Sequence, residues 1–191
     1  MNNPERTEIM GDHIMTIRGL FSPEECADLV RAAERIGFDA APVTTGGGFV
    51  MMPDVRNNTR VMVDDLPRAA ALWDRLAAWV PAERDHGRAA GLNERLRYYR
   101  YAPGEYFRWH RDGAFYRHAR ERSVVTAMIY LNEDFEGGST DFDLGDEEIR
   151  VVPERGLVLL FDHRLRHQGA PVVRGRKYVL RTDVMYRFPE A

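Results

Sequence analysis

Apolar positions along this chain change their period near its middle. In the first half Cys26, Leu29, Val30, Ala33 and Ile36 recur at the spacing of a helix with one buried face. Ser22, followed by Pro23 and by Glu25 three positions on, forms a capping box with proline at the first helical position, and Gly37 supplies a stop. A second helix is predicted from Asp65 and Pro67, with Ala69, Leu72, Trp73, Leu76, Trp79 and Val80 as its apolar stripe and Pro81 as its end. Between the helices, 44–53 carries Gly46, Gly47 and Gly48 and reads as a mobile hairpin or loop, a candidate substrate lid.

After about residue 94 the pattern turns to short β-type runs, at 96–101, 124–131, 149–152, 157–161 and 178–188. Pro103-Gly104, Gly137-Gly138, Pro153, Gly156, Gly169 and Gly175 punctuate them. Helices followed by many short strands predict an α+β, mainly β domain: supporting helices packed on a cupin-like jelly roll, the double-stranded β-helix. No linker or repeat is visible, so 1–191 reads as one domain, with helical support over 1–93 and the jelly-roll core over 94–191.

Composition narrows the partners more than the fold. The 191 residues are 44% hydrophobic and 30% charged, ordinary values for a globular chain, with a formal charge of −3. That charge gives no basic footprint for nucleic acid, and the arginines at 117, 120, 122, 174 and 176 read as solvated faces. Cys26 is the one cysteine, so no internal disulfide forms, and its helical neighbours make it a small core residue. The N-terminus has no basic segment followed by an apolar run, and nothing approaches the roughly 18 apolar residues of a membrane span. These features predict a cytoplasmic protein without a membrane partner.

The candidate chemistry begins at His110 and Asp112, which share one face if both lie on a strand. Six histidines among 30 acidic residues produce about one such pair by chance, so the pair alone carries little. His167 changes this, lying just beyond an apolar run and just before Gly169, where a barrel strand would turn. Two histidines and a carboxylate on one face of an ion leave open positions, the facial triad of non-haem Fe(II) oxygenases. Zinc accepts the same ligands in hydrolytic sites, but the helical His-Glu-x-x-His spacing of zinc proteases is absent. His163 is the competing third ligand; His13, His86 and His118 have no partner at ligand spacing and read as surface or satisfied polar histidines.

Several motifs in one order resemble the prolyl 4-hydroxylase branch of the 2-oxoglutarate/Fe(II) dioxygenases over about half of the chain. Tyr101-Ala-Pro-Gly104 leading into His110-Arg-Asp112 is similar to the family's Tyr-x-x-Gly and His-x-Asp stretch. Arg122 to Thr126 with Tyr130-Leu131-Asn132, Gly137-Gly138-Ser-Thr140-Asp-Phe142, and Val152-Pro153 with the run to Phe161 follow in the family's order. His167-Gln-Gly-Ala-Pro171-Val172 through Lys177 resembles its distal histidine-to-lysine segment. The resemblance implies iron held by His110, Asp112 and His167, with 2-oxoglutarate and O2 as co-substrates and ascorbate as an auxiliary reductant.

The resemblance also makes Lys177 the cation for the distal carboxylate of 2-oxoglutarate. Arg181, on the same strand face, is the alternative, unless Asp183 pairs with it. Thr126, Met128 and Tyr130 would line the cofactor pocket, with Tyr101 on its other side. Arg108, Trp109 and Arg117 are candidates for the mouth. The implied reaction couples oxidative decarboxylation to succinate and CO2 with hydroxylation of a C–H bond, and Asp112 stands where related halogenases keep a small residue. The expected substrate is a prolyl peptide or a protein, with a free amino acid or other small metabolite as the alternative. A non-catalytic cupin-like binding domain and a zinc hydrolase are the rival classes.

Overall fold

The computed structural model describes residues 3–190, apart from the side chains of Thr44 and Thr45. Its frame is a large antiparallel sheet, ordered Glu5–Met10, Ile14–Arg18, Val158–Asp162, Glu121–Tyr130, Lys177–Arg187, Arg95–Tyr101, Thr59–Asp64 and Asp39–Ala40. A smaller sheet, ordered Phe107–His110, Arg166–Gly169, Thr140–Asp143 and Glu148–Val151, packs against it to complete the jelly roll.

The central strands are apolar on both faces because both faces are covered. Along Glu121–Tyr130, Ala127 and Ile129 point to one side and Met128 and Tyr130 to the other. The first pair joins Leu96, Tyr98, Leu160 and Leu180 in a core closed by the two helices, through Cys26, Ala33, Ala69, Leu72 and Leu76. The second pair joins Tyr99, Tyr101, Phe142, Leu159, Phe161 and Val179 in the core between the sheets. The functional side chains project from this inner face.

The first helix, Pro23–Ile36, has its capping box formed: Glu25 N–H donates to Ser22 Oγ at 3.2 Å, and Ser22 N–H donates to the Glu25 carboxylate at 2.7 Å. Cys26 is fully buried in it, and burial pushes its thiol up to about 11. The second helix, Leu66–Leu76, stops short of the predicted end at Pro81. Trp79 and Val80 both turn their N–H groups back to Leu76 O, which drops Val80 into the core and brings Pro81 O under the Tyr186 hydroxyl at 2.8 Å. Tertiary packing overrides the helical spacing there.

The helical support expected over 1–93 is a larger correction. Glu5–Met10 and Ile14–Arg18 form a hairpin that extends the main sheet through Val158–Asp162, and Thr59–Asp64 extends it on the other side through Arg95–Tyr101. The sheet therefore runs across the boundary expected near residue 94. The glycine-rich segment forms a short hairpin, Val43–Thr45 paired with Gly48–Val50. Among the described residues no helix is long and apolar enough to cross a membrane.

Leu160 is fully buried against the helices, on the face turned away from the inner core. Leu160→Ala is expected to lower unfolding free energy by about 2–5 kcal/mol in urea titrations, through lost burial and an unfilled cavity.

Candidate active site

Strand register builds the site. Phe107–His110 pairs antiparallel with Arg166–Gly169 so that His110 lies directly opposite His167, with ring centroids 4.2 Å apart. Asp112 lies two residues past the end of its strand, where its N–H donates to His163 O at 3.1 Å. One ligand atom from each of His110, Asp112 and His167 falls within 4.8 Å of the others.

Both imidazoles are turned for coordination. His110 Nδ1 is 2.7 Å from Arg108 O, and His167 Nδ1 is 3.0 Å from Leu165 O. A carbonyl only accepts, so each Nδ1 carries the hydrogen and each Nε2 lone pair faces the gap. The Nε2 atoms lie 3.9 and 3.8 Å from the Asp112 carboxylate. Phe107 stacks on His110 at 3.6 Å, and Phe161 packs edge-on to His167 at 4.5 Å. Burial, reinforced by the neighbouring His167, holds His110 down at about 3, so it is neutral and free to ligate.

The carboxylate is engaged on one side only. Asp112 Oδ2 accepts from Thr126 Oγ1 at 2.6 Å and meets Arg181 Nη2 at 3.1 Å. The same Nη2 donates to Asp183 Oδ1 at 3.0 Å, and Asp183 Oδ2 accepts from Arg97 and Asn93, each at 3.1 Å. Burial raises the Asp112 carboxyl, but Arg181 and the nearby imidazoles outweigh it and hold the group well below the usual carboxylate range. Asp112 is thus ionised, with Oδ1 left for an ion.

These groups open into a cavity of about 390 Å³, its mouth included, lined also by Tyr99, Tyr101, Phe107, Met128, Thr140 and Lys177. Lys177 is 2% exposed, its Nζ 2.6 Å from Gly138 O and over the rings of Tyr101 and Tyr130 at 5.2 and 5.4 Å. Gly138 has a φ of +65°, and a Cβ there would crowd the Lys177 stem at 3.1 Å, so glycine keeps this approach open. Among the described residues no carboxylate lies in ion-pair range of Lys177, and burial, opposed only by the more distant Asp141 carboxylate, pushes its ammonium down to about 7.

The residues expected from sequence thus fall into three groups. His110, Asp112 and His167 converge, while Lys177, Tyr101, Met128 and Arg181 line the same cavity. Tyr130 is buried beneath Lys177 and donates to Thr140 Oγ1 at 2.7 Å. Thr126 turns to Asp112 instead of lining the pocket, and His163 bonds to Thr126 and Ser123 outside the triad. Arg181 carries the pairing with Asp183 foreseen for it.

The mouth candidates do not line the cavity. Arg108 lies over the Tyr106 ring, Trp109 lies under Arg166, and Arg117 is held by Glu94 and Glu121. Sequence reasoning missed Tyr99, Phe107 and Thr140. Tyr99 was legible from its alternation with Tyr101, and Thr140 stands inside the Gly-Gly-x-Thr motif. Phe107 was not, because a register irregularity lies between it and His110.

Two nitrogen donors and one ionised oxygen, beside a buried cation with no carboxylate in ion-pair range among the described residues, fit a metal with open positions and an anionic co-ligand. Residues 96–182, which carry every one of these groups, match the family described as the 2OG-Fe(II) oxygenase superfamily. Its cofactor set is Fe(II), 2-oxoglutarate and O2.

Among individual relatives, prolyl 4-hydroxylase 1 of Arabidopsis thaliana is 28% identical over 197 aligned positions, covering 86% of this chain. The chain spans 66% of that relative's length, just under two thirds. A prolyl-4-hydroxylase of Pseudomonas putida shares the fold with a TM-score of 0.71 at 19% identity, over 92% of this chain and 93% of that one. A Trichoplax adhaerens prolyl hydroxylase, solved with a peptide fragment of the hypoxia inducible factor oxygen degradation domain, gives 0.69 at 17% identity, over 93% and 84%.

The environment of Lys177 sets the sign of a pH effect. A carboxylate binds the ammonium form, which is lost from the free site as pH rises through about 7. Affinity of the Co(II)-loaded chain for 2-oxoglutarate is expected to be level below about pH 6 and to fall about tenfold per unit above about pH 8. Calorimetric titration reads this, and Lys177→Met should weaken binding and flatten the slope. A parent profile that stays flat to about pH 9 contradicts the assignment.

Proposed function

We propose that this chain is an Fe(II)/2-oxoglutarate-dependent hydroxylase acting on a prolyl residue of a peptide or protein. The observation that carries the reading is one cavity holding the His110, Asp112 and His167 ligand set at one place and the Lys177 ammonium, with no carboxylate in ion-pair range among the described residues, at another. A metal chelated by a dicarboxylic keto acid needs both: open positions on the ion and a cation for the far carboxylate.

In this reading His110, Asp112 and His167 hold the iron, and the backbone acceptors at Arg108 and Leu165 keep both imidazoles in the ligating tautomer. Lys177, with Thr140 beside it, receives the distal carboxylate, and the rings of Tyr101 and Tyr130 keep water from that end. Phe107, Phe142 and Phe161 pack on the imidazoles and keep their inner side dry. Iron with 2-oxoglutarate and O2 supplies the oxidising power, the co-substrate leaving as succinate and CO2 while hydroxyl is placed on carbon.

The prolyl part of the proposal is supported by the relatives. The Arabidopsis and Pseudomonas proteins are prolyl 4-hydroxylases, and the Trichoplax enzyme was solved with a peptide. Anaerobic addition of Fe(II) and 2-oxoglutarate is expected to give a visible metal-to-ligand charge-transfer band. Admitting air with a proline-containing peptide should release succinate and add one oxygen atom to the peptide, with the matching alanine peptide inert. Asp112→Ala should abolish both readouts. Succinate release with free amino acids but with no peptide would move the substrate to small metabolites, and metal-dependent hydrolysis indifferent to oxygen and 2-oxoglutarate would overturn the class.

A further inference from the structure

His163 stands outside the ligand cluster, yet it holds Asp112 at two points. Its carbonyl accepts the Asp112 N–H at 3.1 Å. Its imidazole lies one residue behind the carboxylate, with Nδ1 3.0 Å from Thr126 Oγ1 and Nε2 3.0 Å from Ser123 Oγ. His163, Thr126 and Ser123 are all buried, so a lost partner there is not replaced from bulk water.

Counting hydrogens gives these bonds their direction. The ionised Asp112 carboxylate only accepts, so the single Thr126 hydroxyl hydrogen points to Oδ2. Thr126 Oγ1 then accepts from His163, which places a hydrogen on Nδ1. Nε2 is left to accept from Ser123, whose oxygen accepts the Phe115 N–H at 2.9 Å. The series runs from Phe115 through Ser123, His163 and Thr126 to Asp112, with one hydrogen for each contact. Together with Arg181 it fills Oδ2 from the protein side.

We propose that His163 is a positioning residue for the metal ligand Asp112: through Thr126 it keeps Oδ2 on protein donors, so that Asp112 gives the ion Oδ1 alone. The inference rests on reading the triad as a metal site. It accounts for a buried histidine beside the triad that the reaction itself does not employ. A carboxylate released from this hold could turn or chelate with both oxygens, taking up a position needed by the co-substrate.

The test uses Co(II) alone, added anaerobically to the metal-free full chain, and reads both affinity and visible absorption intensity, which reports coordination geometry. His163→Leu is expected to weaken Co(II) binding about ten- to a hundredfold and to change the spectrum. His163→Asn, whose amide can still donate to Thr126, should recover most of both. Thr126→Val, close in shape, should reproduce the defect and keeps the test open if His163→Leu does not fold. The double variant His163→Leu/Thr126→Val should bind no more weakly than the poorer single variant, because both break one series.

A folded His163→Leu with the affinity and spectrum of the parent overturns the inference. So does an Asn variant as weak as the Leu variant, or a double variant whose losses multiply. A parent chain that binds no Co(II) overturns the metal reading itself, a result distinct from all of these.

Discussion

The pairing of Phe107–His110 with Arg166–Gly169 is the constraint on which the site depends, because it sets two imidazoles opposite each other at a strand end. Two histidines this close repel if both are protonated, and burial removes that option by favouring the neutral ring. The strand stops at His110, so the backbone is free to turn and bring Asp112 into the same gap. Simple alternation would put Phe107, three residues before His110, on the opposite face. The register irregularity between them instead lets the two rings stack at 3.6 Å.

A carboxylate at such a place must be desolvated, and the fold compensates it through neighbours that are themselves compensated. Arg181 lies between Asp112 and Asp183, and Arg97 supplies the second guanidinium, so carboxylates and guanidiniums balance within one buried group. Such networks contribute little net stability, since the desolvation of each ion offsets most of the attraction. Their effect here is positional: one orientation of Asp112 satisfies Thr126 and Arg181 together. Removing a single member would strand the others in a low-dielectric interior, so these residues act as a unit.

What the sequence disclosed, and what it withheld, follows from which forces left a local pattern. The two-faced strands were legible as near-continuous apolar runs, and the first helix from its capping box, because both signals are local. Order along the chain then placed His167 and Lys177 beyond their strands' turns. The N-terminal hairpin was invisible: Glu5–Met10 is an almost wholly exposed edge strand, half of its residues charged, and edge strands carry polar side chains for solubility. The second helix was overextended because Trp79 and Val80 keep helical spacing while packing from a turn. The roles of Thr126 and His163 were hidden for another reason. They depend on which way a hydroxyl and an imidazole turn in three dimensions, and no spacing records that.

The charge balance of the site says what it is built to receive. With Asp112 and, behind it, Asp183 answered by Arg181 and Arg97, the carboxylate that lines the cavity is already matched. A divalent ion between His110, Asp112 and His167 would add positive charge that this balance leaves uncovered, and Lys177 would add more once protonated. Both excesses face one cavity, from different residues of its wall. An anion with a single charged end would answer only one of them. A ligand carrying a carboxylate at each end answers both, and its binding would restore the proton that burial takes from Lys177. In the proposed reading the lysine's lowered affinity for its proton and the binding of a dicarboxylate are therefore one property: a buried cation, opposed only by the more distant Asp141, that the co-substrate would pair directly.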